Sequence, residues 1–324
     1  MKLVFFLALV LNAVLAFSQS KASHTSKIKF SSQEIRIINP PTCNLLYDSI
    51  FIDETEITNL HWLEYLYAIK KDSSQAFYKS QLIDSTFHLS ILDLEYLHYP
   101  GFRLYPVIGV SYEQVKAYCK WRSDVVNYYF KNSKDGELAK QRKLLKKVGL
   151  EIYYEFRLPT VAEWEYAARG GLKFEDFPHG IIDKFYEIEK KDFLPKEKNL
   201  MSKVSKCLES LKEDYKKGAK IFGIQSNVKE DYWIKNSNNF ISCDKFDKIP
   251  TTDVYDFAPN NFKLYNMIGN VAEMTAEKGI AKGGSFVDSY DSFNIKTNFK
   301  YENVQDWLGF RGICVVHFRK SLKL

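Results

Sequence analysis

The sequence predicts an α+β domain. Three observations carry that reading: helix starts marked by capping residues at Asn59, at Ser111 with Gln114 and at Thr160 with Glu163; a β-rich run from Ile50 to Ile57 ahead of the first; and short apolar, glycine-punctuated segments after Val254. The 324 residues are 45% hydrophobic, 15% aromatic and 27% charged, enough apolar material for a packed core and unlike a disordered or collagenous chain. Lys and Arg number 46 against 40 Asp and Glu, a formal charge of +6. Read along the chain this excess is dispersed rather than gathered in one block, which gives no reason to expect nucleic acid as the partner.

The elements follow in order. Lys2 and the apolar run Leu3 to Phe17 have the length and flanks of a secretory signal, too short for a membrane span, with cleavage expected before Gln19. Residues 1–18 are therefore read as a signal peptide and 19–44 as a polar leader. The main domain is read as 45–318 and the tail as 319–324. The protein is expected to be exported, to the periplasm or cell envelope, without a transmembrane helix. Ile50 to Ile57 reads as a strand, after which Asn59 caps a helix carrying Leu60, Leu63, Leu66 and Tyr67 on one face. The Ser111 helix places Val115, Cys119, Arg122 and Val126 along one stripe, with Tyr118 and Val125 beside them. The Thr160 helix runs through Trp164 and Ala167-Ala168 to stop at Gly170-Gly171. From about 173 to 248 charge dominates, and Glu187 to Lys220 reads as one or two surface helices in an insert. Short strands are expected in Leu264 to Met274, Ile280 to Val287 and Leu308 to His317.

Cys43, Cys119, Cys207, Cys243 and Cys314 are too far apart for a metal finger, and the six His form no His-x-His or His-Glu-x-x-His pair. A zinc site is not indicated.

Four segments then matter together. They are Phe51 to Asn59 with Trp62, Tyr105 to Ser111, Phe156 to Gly171, and Leu264 to Met274 running on to Gly283-Gly284-Ser285-Phe286 and closing with Gly309-Phe310-Arg311. In this order and spacing they resemble the formylglycine-generating enzyme, or sulfatase-modifying factor, family. The resemblance implies a C-type-lectin-like fold with little regular structure. Within the family, Tyr96 to Phe102 and Cys119 to Asp124 are similar to the gliding-motility and type IX secretion lipoproteins, which are envelope structural components. The chain departs from them in lacking a lipid-modified Cys.

The resemblance also implies site residues. A structural calcium ion would be held by side-chain oxygens of Asn266 and Glu273 and by carbonyls of Gly269 and Val271, a donor set of the kind a hard cation takes. A second calcium site would fall around Asn239 to Asp247. The two copper-binding thiols of the aerobic enzymes fall on Asp288 and Phe293, and neither side chain suits a soft monovalent ion. No copper is expected and Ser285 remains without its partners. In the family a Cys matching Cys119 pairs with one at the position of Gly312. A shifted Cys119–Cys314 disulfide and two separate buried thiols are both open. The expectation is a pseudoenzyme that binds other envelope proteins or a peptide ligand. The alternative is an enzyme of altered chemistry related to the family's iron-dependent members. Arg157 to Gly171, Gly283 to Ser285 and Gly309 to Arg311 are read as scaffold.

Overall fold

The computed structural model describes residues 39–83, 96–181, 226–236, 239–244 and 251–320, with strand segments at 27–30, 33–36, 185–187 and 220–224. The strands are β1 (Lys27–Phe30), β2 (Gln33–Arg36), β3 (Cys43–Tyr47), β4 (Ile50–Asp53), β5 (Leu150–Arg157), β6 (Phe185–Glu187), β7 (Lys220–Ile224), β8 (Glu230–Asn236), β9 (Asn239–Asp244), β10 (Ala272–Met274), β11 (Ile280–Lys282), β12 (Phe299–Lys300), β13 (Leu308–Gly309) and β14 (Ile313–Lys320). The helices are α1 (Asn59–Asp72), α2 (Gln75–Ser80), α3 (Tyr112–Asn132), α4 (Gly136–Lys147) and α5 (Val161–Arg169). The proposed signal peptide lies outside the described residues. Among those described, no helix is long and apolar enough to cross a membrane.

The central sheet runs β3-β4-β14-β5, and β14 pairs antiparallel with both β4 and β5. Because side chains alternate across a strand, neighbours face opposite layers. Phe51 and Cys314 join Trp62, Tyr65, Tyr118, Cys119, Phe156 and Phe310 on one side, while Ile52 and Ile313 join Trp164, Ala167, Met267 and Phe293 on the other. A second sheet, β12-β11-β10-β13, carries the motif-bearing loops, and β10 is parallel to β13. The insert supplies a third, antiparallel sheet, β6-β7-β8-β9. Residues 188–219, read as surface helices, lie outside the described residues. β1 and β2 pair antiparallel within the segment read as a leader.

Two capping boxes form as the sequence predicts, Ser111 with Gln114 on α3 and Thr160 with Glu163 on α5, and α5 stops at Gly170 in the left-handed conformation. The α3 stripe is also as expected, with Val115, Tyr118, Cys119 and Arg122 buried.

The start of α1 needs correction. Its cap is Thr58, whose hydroxyl accepts from His61 N–H while Thr58 N–H donates to His61 Nδ1. Asn59 is instead buried and donates through Nδ2 to the Phe102 carbonyl at 2.9 Å. The buried face is Trp62, Tyr65, Leu66 and Ile69, and Tyr67 is exposed. β4 ends at Asp53, because Thr55, Glu56 and Ile57 leave the ladder to meet other loops.

Cys119 and Cys314 are free buried thiols, as is Cys43. Gly312, where the family's partner Cys would stand, gives its N–H to Asp53 Oδ2 at 2.8 Å, and a Cβ there would lie 2.9 Å from that same oxygen. The position is taken by an ion pair: Arg122 donates to both Asp53 oxygens at 2.6 and 2.7 Å across the α3–sheet interface. Burial pushes the Cys119 thiol up to about 12, so it is not reactive at neutral pH.

Candidate functional site

The segment Leu264 to Met274 enters β10 through a loop with three left-handed residues, Asn266, Gly269 and Asn270. Asparagine tolerates that conformation because its short amide can bond locally. At Gly269 no side chain fits, since a Cβ would lie 2.4 Å from both the Asn227 carbonyl and Ser226 Oγ. Asn270 is wholly buried and locked on every side. Its Oδ1 accepts from Asn227 Nδ2 (3.0 Å) and Thr252 N–H (2.9 Å), and its Nδ2 donates to Glu56 Oε1 (2.9 Å). Gly269 N–H donates to the Gly283 carbonyl and Phe286 N–H to the Asn270 carbonyl, which ties this loop to the one after β11.

Of the four residues implied as calcium ligands, Glu273 is 1% exposed and has both oxygens in use. Arg311 grips it through Nε (2.8 and 2.7 Å) and Nη2 (2.6 Å), and Trp164 Nε1 donates to Oε2 at 2.7 Å. Arg311 spends its other donors on the carbonyls of Tyr265, Asp53 and Glu54. Asn266 differs: its buried Oδ1 has no hydrogen-bond partner, while its Nδ2 reaches Glu56 Oε2 at 3.5 Å. Val271 packs its side chain against Gly309. An orphaned oxygen at Asn266 suits a hard cation, but the set of four does not fit one as it stands, because a guanidinium already neutralises Glu273. For the second calcium position, β9 is described by its backbone alone.

Glu56 was not singled out by the sequence. It is fully buried, and Arg311 Nη2 lies 4.0 Å from it. Burial pushes its carboxyl up to about 8; Arg311 opposes the rise and Glu273 adds to it. Two carboxyl groups therefore share one guanidinium, and Glu56, farther from it and fully buried, is the one pushed upward.

The loop from Gly283 to Ile295 holds the positions that matter for redox chemistry. Ser285 is fully buried and gives both its N–H (2.9 Å) and its hydroxyl (2.7 Å) to Asp288 Oδ2. Phe293 is 4% exposed, and its ring lies directly beneath Gly284, where a Cβ would come within 2.5 Å of it. Edge-on contact with Phe299 fixes the ring at 5.6 Å. His179 closes the arrangement. Its Nε2 lies 2.7 Å from the Phe293 carbonyl and 3.1 Å from that of Tyr290, which assigns the proton to Nε2, and its ring stacks on Tyr290 at 4.0 Å. Nothing in the residue pattern around His179 signals this role, because its partners lie more than a hundred residues away. Among the described residues no thiol reaches this place. Cys43, Cys119 and Cys314 belong to the core on the α3 side of the sheet, and Phe293 to the core on the α5 side.

A hollow of about 260 Å³ lies against the Leu264–Met274 loop and the end of α5, lined in part by Ala168, His179, Ile181, Pro259, Asn266 and Met267. Ser285, Asp288 and Phe293 do not line it. Among the described residues no group of three or more His, Cys, Asp or Glu is arranged to hold a metal ion.

Comparison with known proteins adds the family. A family model described as "Sulfatase-modifying factor enzyme 1-like domain" matches residues 23–316. Among curated relatives, Inactive C-alpha-formylglycine-generating enzyme 2 of Bos taurus is 26% identical over 196 residues, covering 58% of this chain and 40% of its own length. The Mus musculus protein of that name is 25% identical over 194 residues, covering 57% and 39%. The chain thus spans about two fifths of the length of these relatives. Among solved structures, PvdO from Pseudomonas aeruginosa aligns at 17% identity over 82% of this chain and 80% of its own, with a TM-score of 0.45. CarF aligns at 18% over 82% and 86%, with a TM-score of 0.39.

Proposed function

We propose that this chain, which belongs to the sulfatase-modifying factor enzyme 1-like domain family, is a non-catalytic member that acts through binding or assembly. Membership brings with it the α+β formylglycine-generating-enzyme fold expected from the motifs. The observation that carries the functional reading is the state of the redox loop. Phenylalanine offers no donor atom where the family's second copper thiol stands, and its ring fills the space under Gly284. Aspartate stands at the first position, a hard ligand already committed to Ser285. The curated relatives named above carry "Inactive" in their own names, which agrees with this reading.

The finer reading is an exported envelope component of the gliding-motility or type IX secretion kind. Its support is the apolar run Leu3 to Phe17 and the likeness of Tyr96 to Phe102 and Cys119 to Asp124 to that branch. The partners proposed are other envelope proteins or a peptide.

Two measurements test these readings. Titration of the reduced protein with Cu(I) against a competing chelator should show no stoichiometric site, and a Cys-x-Pro-x-Arg peptide incubated with protein and Cu(I) should yield no aldehyde. Tight copper binding or aldehyde formation overturns the non-catalytic reading. Mass spectrometry of protein recovered from the envelope should show a chain beginning at Gln19; a chain beginning at Met1 in the cytoplasm overturns export.

A further inference from the structure

The charge excess, read above as dispersed, is in fact gathered largely in one stretch of the sequence. Residues 131 to 147 hold seven basic and two acidic side chains, a net +5 against +6 for all 324 residues. The fold then sorts them. α4 buries Leu138, Gln141 and Leu145, so one face packs toward the core, and Lys140, Lys143, Lys146 and Lys147 stand exposed on the opposite arc. Lys131 and Lys134 in the turn before it are exposed as well. Arg142 is not part of this arc: it donates to the carbonyls of Phe130 and Ser133 and holds the α3–α4 turn.

The neighbouring helix shows what an ordinary solvated face looks like in this protein. On α3, Lys116 has Glu113 at 3.4 Å and Lys120 has Asp124 at 2.6 Å, each about one turn away. Among the described residues none of the four α4 lysines has an acidic partner. They also stand three and four residues from one another, where like charges weaken a helix. The helix C-terminus favours Lys146 and Lys147 but does nothing for Lys140 and Lys143. An arc of unpaired lysines spread over about 10 Å of helix is disfavoured by the fold alone.

We propose that the lysine arc of α4 docks on the anionic headgroups of a phospholipid bilayer, electrostatically and without insertion. Three features select that occupant. The arc is convex and made of lysine, whose hydrated point charge suits a diffuse anionic surface better than one bidentate partner. Lysine is depleted from protein–protein interfaces, which concentrate aromatic residues and arginine, whereas clustered lysine is the mark of attraction to acidic lipid. The apolar side of α4 is buried in the protein's own core, so the helix has nothing to insert. This inference is independent of whether the redox loop is silent.

The test is co-sedimentation of the full chain with phosphatidylcholine vesicles, with and without 30% phosphatidylglycerol, in low and in elevated NaCl. Sedimentation is expected only with the anionic vesicles, and salt should release the protein. Lys140→Glu/Lys143→Glu/Lys147→Glu should lower partitioning by about tenfold or more, while Lys70→Glu/Lys71→Glu at the end of α1 should change it far less. The melting temperature of the triple variant reports whether it folds, since it exchanges one like-charged set for another rather than removing the repulsion. Should that variant fail to fold, the Lys→Gln triple replaces it. No sedimentation at low salt, equal binding to neutral vesicles, or indifference to the triple variant overturns the proposal. Retention on an acidic peptide but not on vesicles assigns the face to an acidic protein and also overturns it.

Discussion

Arg122 and Arg311 are both buried, yet the two sites balance their charge differently. Arg122 meets one carboxylate, Asp53, at the α3 side of the sheet. Burial alone would raise that carboxyl, but the charge and hydrogen bonds of Arg122, with Gly312 N–H, more than offset it and hold Asp53 below its ordinary value. Arg311 meets two carboxylates in the motif loops. It holds Glu273 through Nε and Nη2 and leaves Glu56 at 4.0 Å, and there burial wins. A one-to-one pair can stay fully ionised in the interior, whereas a two-to-one set keeps a proton as its second cation. The difference lies in the number of carboxylates, since both arginines are raised above their ordinary range by their acidic neighbours, which more than offset burial.

The largest expected effect comes from removing the guanidinium that serves two acids. Arg311→Ala strands Glu273 and Glu56 and orphans three carbonyl contacts, and should cost about 3–5 kcal/mol, enough to deplete the folded protein. Arg122→Ala should cost less. Asp53 would keep the Gly312 N–H at 2.8 Å and the Cys43 thiol at 3.2 Å, and the Arg122 site lies nearer to water. Urea midpoints of the two variants decide the matter; equal losses, or a larger one at Arg122, would erase the distinction between the sites.

The next effect is a pH dependence of opposite sign at the two sites. Glu56 binds its proton more tightly when folded, up to about 8, than at its ordinary 4.5. Between those values the folded state holds the extra proton, so stability falls as pH rises and the loss is complete above about 8. Asp53 is depressed instead; its stabilisation is present above the ordinary 3.8 and is lost only as acid protonates it. Glu56→Gln keeps an acceptor for Asn270 Nδ2 and cannot ionise. In buffer containing a chelator it should hold its melting temperature from pH 6 to 9 while the parent loses a few degrees. Parallel curves for the two proteins would place the proton elsewhere.

Which parts of this were readable beforehand follows from how local each interaction is. The Ser111–Gln114 and Thr160–Glu163 boxes close within four residues, so residue type alone reveals them. At α1 two adjacent cap-forming residues, Thr58 and Asn59, compete. The choice is made by the Phe102 carbonyl, 43 residues away, which claims Asn59. The expected apolar stripe missed Trp62, Tyr65 and Ile69 because α1 carries apolar residues around much of its circumference, and packing of Trp62 on Tyr118 and Phe310 selects the buried side. α4 went unmarked because lysines dilute its pattern to two buried leucines and its cap, Asp135, is followed by glycine. At the candidate site, the absence of thiols at Asp288 and Phe293 is plain from residue type. The partners of Glu273 are not: Arg311 lies 38 residues on and Trp164 109 residues back, brought together only by the packing of the two sheets.

The smallest expected effect, and the sharpest for the comparison, concerns calcium. In the parent protein the guanidinium of Arg311 occupies the place of charge beside Glu273, so exchanging EDTA for millimolar Ca²⁺ should move the melting temperature by less than about 1 °C; an ion bound at a hundredfold excess over its dissociation constant would add about 2.7 kcal/mol, a shift of several degrees. In Arg311→Ala the balance reverses. Glu273 loses its counter-charge, and Glu56, no longer held down by Arg311, is a carboxyl that can give up its proton to a cation; both lie near the orphaned Asn266 Oδ1, oxygen donors of the type a hard cation takes. Calcium should therefore stabilise the variant and not the parent. A calcium shift in the parent would mean that the ion displaces Arg311 from Glu273. Its absence from both would mean that the loop oxygens cannot converge on a cation even when the arginine is gone, and that Arg311 shapes the site as well as neutralising it.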